Sequence, residues 1–191
     1  MTSILRVNSI KTTGDKPILN STGSILQIVS SVNTAYANST SNSFVDITGT
    51  DELGNGSVWE CNITPSSTSN KVFVQANISN NATNGYVKFF DLVRVIGGSS
   101  ESILRGDTTS NSRTDCTLFL REEAQTGGDA NAIMYLDSPG STDEVTYKVQ
   151  YAVQSGSSTI TVNRSQDQAN NAWLGNGAST ITCMEIAGWL V

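Results

Sequence analysis

Alternation with a period of two constrains this chain more than any other feature. In EVTYKVQYAV, residues 144–153, Val145, Tyr147, Val149, Tyr151 and Val153 fall on one face, and Thr146, Lys148 and Gln150 on the other. KVFVQANIS, residues 71–79, repeats the pattern, with Val72, Val74, Ala76 and Ile78 set against Lys71, Phe73, Gln75 and Asn77. Successive side chains of a strand point to opposite sides of a sheet, so each stretch predicts a strand buried on one face. Further strands are expected within 24–31, 43–49, 57–64, 86–96, 116–121, 132–138, 158–163 and 179–187. Turn-forming stretches such as TPSSTSN, SNNATNG, GGSS and SPGS separate them. About ten short strands at this spacing predict an all-β fold, an antiparallel β-sandwich of the jelly-roll kind. Only LREEAQ, residues 120–125, suggests a short helix.

Residues 1–24 lack this order. Ile4, Leu5, Val7, Ile10, Ile18 and Leu19 occur in short groups interrupted by Gly14 and Pro17, with Gly23 closing the segment. Such a segment has too few apolar side chains for a core and too many for a solvated tail. It is expected to be an extended N-terminal arm docked on a neighbouring chain, where pairing at a sheet edge adds to apolar burial and offsets the cost of ordering. The chain therefore divides into an arm, residues 1–24, and a sandwich domain, residues 25–191.

Asn, Ser and Thr supply 66 of the 191 residues, charged residues only 15%, and hydrophobic residues 37%. That balance predicts a neutral hydrogen-bonding surface over a packed core rather than disorder. A net charge of −6, with eleven scattered Lys and Arg, argues against a nucleic-acid partner. No stretch approaches the ~20 apolar residues of a membrane span, so no membrane insertion is expected. Arg6, Asn8 and Lys11 interrupt any export signal, which points to folding in the cytoplasm of the producing cell. Seven N-x-S/T triplets, beginning at Asn20, Asn38, Asn55, Asn62, Asn77, Asn81 and Asn163, read as polar surface and strand positions.

The chain contains no histidine, which removes Ser-His-Asp and Cys-His catalysis and the usual Cys/His zinc sets. Cys61, Cys116 and Cys183 lie far apart in apolar runs and read as buried thiols acting as small hydrophobes. The acid pairs Asp51–Glu52, Glu122–Glu123 and Asp143–Glu144 are sequence neighbours, which point to opposite faces in a strand and do not make a glycosidase dyad. DTTSNSRTD, residues 107–115, lacks the central Gly and terminal Glu of a calcium loop, and the two LGNG turns lack a following Lys. No catalytic, cofactor or metal-binding residue is expected, and the chain reads as a non-enzyme. Trp173, in the polar loop DQANNAWLGNG, is the aromatic best placed to stack on a sugar ring.

The segments ILRVNSIKTTGDKPILNSTGSILQIVS, ITPSSTSNKVFV, LDSPGSTDEVTYKVQY, ITVNRS and ASTITCMEIAG occur in that order. Together they resemble a family of tailed-phage virion proteins, common in marine and cyanobacterial phages and labelled tail fibre or structural protein. The resemblance implies a β-rich, homotrimeric module fixed by its arm to other virion proteins of the capsid or tail. It would be assembled in the host cytoplasm and exposed on the particle surface. A fibre segment and a capsid decoration both fit. The alternative is a receptor-binding, lectin-like module recognising host surface glycans through the loop Ser165–Gly177.

Overall fold

A computed structural model describes residues 22–50, 56–83, 85–106, 112–121, 128–165, 172 and 174–188. Among them are fourteen strands and no helix: β1 (Ile25–Asn33), β2 (Ala37–Ser39), β3 (Val45–Asp46), β4 (Thr48–Thr50), β5 (Gly56–Val58), β6 (Glu60–Ile63), β7 (Lys71–Ala82), β8 (Val87–Ile96), β9 (Ser99–Ser102), β10 (Leu118–Arg121), β11 (Asp129–Asp137), β12 (Val145–Val153), β13 (Ile160–Val162) and β14 (Ser179–Ile186). The expected all-β antiparallel sandwich is what these strands build. In the first sheet β1, β14, β7 and β11 lie side by side, with β13 and β2 continuing beyond the far end of β7. In the second, β8 and β12 form the centre, flanked by β9 and β10 on one side and by β3 and β6 on the other. β4 and β5 form a separate hairpin.

The two alternating stretches are the spines of the sheets. Val72, Val74, Ala76 and Ile78 of β7 face Val145, Tyr147, Val149, Tyr151 and Val153 of β12 across a core in which all nine are buried. Each large apolar side chain buried there contributes roughly 1.5–3 kcal/mol. Gly97 and Gly98, with φ of 57° and 81°, turn β8 into β9 and set the Ile96–Ser99 register. Left-handed conformations at both turn positions favour glycine over any other residue.

Three readings change. Residues 43–49 and 57–64 are not single strands. Each breaks beside a large buried residue, Ile47 and Trp59, and the Trp59 N–H donates to the Ile47 carbonyl at 2.9 Å. SNNATNG is not all turn, because β7 runs on to Ala82 with Asn80 and Asn81 buried. Leu120 and Arg121 belong to strand β10, not to a helix, and the rest of LREEAQ lies outside the described residues. The arm residues Ile4, Leu5, Val7, Ile10, Ile18 and Leu19 also lie outside them. Just before β1, the Gly23 N–H donates to the Ala187 carbonyl at 2.9 Å, and the Ala187 N–H to the Ser24 carbonyl at 2.8 Å.

Candidate functional site

Polar side chains enter the core at two places on β8. Lys88, Phe90, Leu92 and Arg94 share its inner face with period two, so a cation stands at each end of an apolar pair. Both reach across to β11. Lys88 Nζ, fully buried, meets Asp129 Oδ2 at 2.6 Å, and Arg94 Nη1 meets both carboxylate oxygens of Asp137 at 2.9 Å. Tyr147 from β12 donates to the same Asp137 at 2.7 Å. Burial, then this bond, push the Tyr147 phenol well above its ordinary range. Burial likewise pushes Tyr151 up to about 12. These contacts clip one sheet to the other at both ends of the core.

Two further buried carboxylates are held by neighbours. Asp91 accepts from Ser102 Oγ at 2.7 Å and from Arg105 Nε at 3.0 Å. Among the described residues Glu185 takes bonds from neutral groups: the Ser66 N–H at 2.6 Å, Ser66 Oγ at 2.7 Å, Asn70 Nδ2 at 2.5 Å and Gln27 Nε2 at 2.7 Å. Burial alone would raise the Glu185 pKa, but the bonds from Asn70, Ser66 and Gln27 outweigh it and hold the carboxyl below its usual range. None of these carboxylates has an acidic neighbour in the sequence, so none stands out as part of an acid pair. The period-two placement of Lys88 and Arg94 beside Phe90 and Leu92 was the signal available.

Of the three acid pairs, Asp143–Glu144 falls among the described residues. Asp143 and Glu144 are exposed beside the turn before β12, while Asp51, Glu52, Glu122 and Glu123 lie outside the described residues. Cys61, Cys116 and Cys183 are buried and not in disulfides. Cys61 and Cys183 meet across the two layers, and the hydrogen bond between them, then burial, push the Cys183 thiol up. No group of three or more His, Cys, Asp or Glu among the described residues is arranged to hold a metal ion. Among the described residues no helix is long and apolar enough to cross a membrane.

Trp173 itself lies outside the described residues, but the stems of its loop do not. Arg164 and Ser165 on one side and Gly175 to Gly177 on the other border a polar recess of about 310 Å³, completed by Asn80 and Asp129. Asn163 anchors this end of the molecule. Its Nδ2 donates to the Asn33 and Ala35 carbonyls at 2.9 and 2.8 Å, and its Oδ1 accepts from Ser179 Oγ at 2.7 Å.

The outer face of the first sheet is different in kind. Ile28, Met184, Phe73 and Leu136 are successive cross-strand partners through β1, β14, β7 and β11. They form an apolar row about 15 Å wide at the usual strand spacing. Ile28 and Leu136 at its ends are 57% and 48% exposed, and Met134 beside them is 59% exposed. No protein-family model matches the chain, and no significant match to a curated protein was found.

Proposed function

We propose that the chain is a non-enzymatic structural protein of a phage virion, a trimeric fibre or decoration module. Residues 1–24 fix it to a capsid or tail protein, and the sandwich is displayed on the particle surface after assembly in the host cytoplasm. The observation that carries this reading is the apolar row Ile28–Met184–Phe73–Leu136, which crosses the four long strands of the first sheet, β1, β14, β7 and β11. Closed symmetric assembly covers such a face and the adjoining strand edges. Buried carboxylates committed to structural bonds agree with it. Purified capsids and tails should retain the full chain and release one lacking residues 1–24. Equal retention of both would end the reading.

A second reading, a lectin-like module for host surface glycans, draws on the polar recess between the stems of the Trp173 loop. Glycan-array binding that disappears in Trp173→Ala would favour it.

A further inference from the structure

Two sheets packed face to face stand about 10 Å apart, too far for a disulfide, whose Cα atoms lie roughly 4.4–6.8 Å apart. The two layers of this sandwich draw closer along one border, where Cα atoms of β6 and β14 come within 8 Å of one another. Cys61 of β6 and Cys183 of β14 meet there, the Cys183 thiol donating to Cys61. Further along, the Glu185 carboxylate takes the Ser66 N–H at 2.6 Å, Gln27 Nε2 donates to the Thr64 carbonyl at 2.7 Å, and the Gly188 N–H donates to Asn70 Oδ1 at 3.0 Å. A Cβ at Gly188 would collide with the Ser69 carbonyl, so the chain after β14 lies directly on the β6–β7 connection. Cys61–Cys183, Ser66–Glu185 and Ser69–Gly188 thus advance together along the two segments, and the meeting of the two thiols belongs to a border closed along its length.

Both cysteines point into the core. Cys61 is the ladder partner of Tyr147 and Cys183 that of Val74, inner residues that are themselves buried. The hydrogen bond from Cys183, against burial, lowers the Cys61 pKa, while the same bond, then burial, raises that of Cys183. Cys61 is therefore the more readily ionised thiol, and the thiolate is the form that reacts. The third thiol, Cys116, has Asp91, Arg105 and Asp115 as its charged neighbours instead.

We propose that Cys61 and Cys183 form a disulfide between the two sheets when the chain meets a peroxide, a redox-sensitive clasp on the border between β6 and β14. The Cys61 thiolate attacks one oxygen of hydrogen peroxide and becomes a sulfenic acid; the O–O bond breaks, and the departing hydroxide takes up the proton that Cys61 gave up. Cys183 then attacks the Cys61 sulfur, so that the S–S bond forms, the S–O bond breaks, and the Cys183 proton leaves with the hydroxyl as water. Two thiols lose two electrons in all, and one peroxide is reduced to two waters. Hydrogen peroxide is scarcely larger than water and reaches the pair through local opening of the border. More than a hundred residues separate the two cysteines, so the bond restricts the unfolded chain strongly.

The test exposes the full chain, prepared in reductant, to hydrogen peroxide, then unfolds it in guanidinium and alkylates it with iodoacetamide for intact-mass and peptide analysis. The reduced chain should take up an alkyl group on each of its three cysteines, and the oxidised chain on Cys116 alone, with the Cys61 and Cys183 peptides joined. Oxidation should raise Tm by about 5–15 °C, and dithiothreitol should undo both changes. Cys183→Ala carried through the same exposure should show no rise, which separates the bond from oxidation of methionines. Should that variant fail to fold, the wild-type masses and the Tm before and after dithiothreitol decide the matter. Three free thiols after peroxide, a bond to Cys116 or between chains, a sulfinic acid on Cys61 beside a free Cys183, or a joined pair that leaves Tm unchanged or lower would each overturn the proposal.

Discussion

Replacing Glu185 by Gln tests whether a buried carboxylate satisfied by neutral donors stabilises the fold. In the folded chain Oε1 accepts from Ser66 N–H, Ser66 Oγ and Asn70, and Oε2 from Gln27. Gln keeps the shape but turns one oxygen into an NH₂ group. If Oε1 stays an oxygen, the new NH₂ faces the Gln27 amide. Gln27 cannot turn over without losing its bond to the Thr64 carbonyl at 2.7 Å. Hydrogen bonds to a charged group are worth roughly 1.5–3 kcal/mol, against 0.5–1.5 for neutral ones. Summed over the four contacts and offset by the relief of burying a charge, the expected loss is about 2–3 kcal/mol. For a chain of this size that lowers Tm by about 5–10 °C.

The pH dependence has a definite sign. The folded pKa is depressed, so the carboxylate's contribution is complete above the unfolded value of about 4.3 and fades as pH falls through the lower folded pKa. Urea unfolding at fixed protein concentration should show the full gap between the wild type and Glu185→Gln at pH 7, shrinking below pH of about 4.3. A gap under about 0.5 kcal/mol at pH 7, or one that does not change with pH, would refute the reasoning.

Met134→Glu and Leu136→Lys, on the exposed face of β11, should leave far-UV circular dichroism unchanged and lower the sedimentation coefficient of any assembly; unchanged sedimentation would detach the apolar row from self-association. Gly49→Ala should cost about 1–3 kcal/mol in urea melts, since Ala35 must move from a 2.5 Å approach. Tyr147→Phe should cost about 1–3 kcal/mol by leaving Asp137 one donor short, a value checked by the same melts. A thiol reagent should label none of the three buried cysteines in the native chain and all three in guanidinium.

Strand positions were readable because burial on one face writes itself into the sequence as period two. β12 and β7 are the clearest cases, and every inward residue predicted in them is buried. What local pattern cannot supply is which strands become neighbours. β14 inserts between β1 and β7, a pairing set by contacts more than a hundred residues apart. Short strands escaped too. β9 has four residues without a single apolar side chain and exists because the Gly97–Gly98 turn folds it onto β8. Asn80 and Asn81 looked like turn chemistry, yet their backbones pair with β13, while the side chain of Asn80 bonds the Ile78 carbonyl. That Cys61 and Cys183 meet could not be recognised from sequence, since contact across the layers is brought about by folding.

Asn163 is the non-glycine residue with positive φ among the described positions, at 66°. Glycine would suit that backbone but forfeit the links to Asn33, Ala35 and Ser179. Aspartate would retain an acceptor, lose two donors and bring a charge into a dry corner. Every other side chain trades one requirement against another, so a saturation library at this codon should return asparagine almost alone, a single-letter bottleneck.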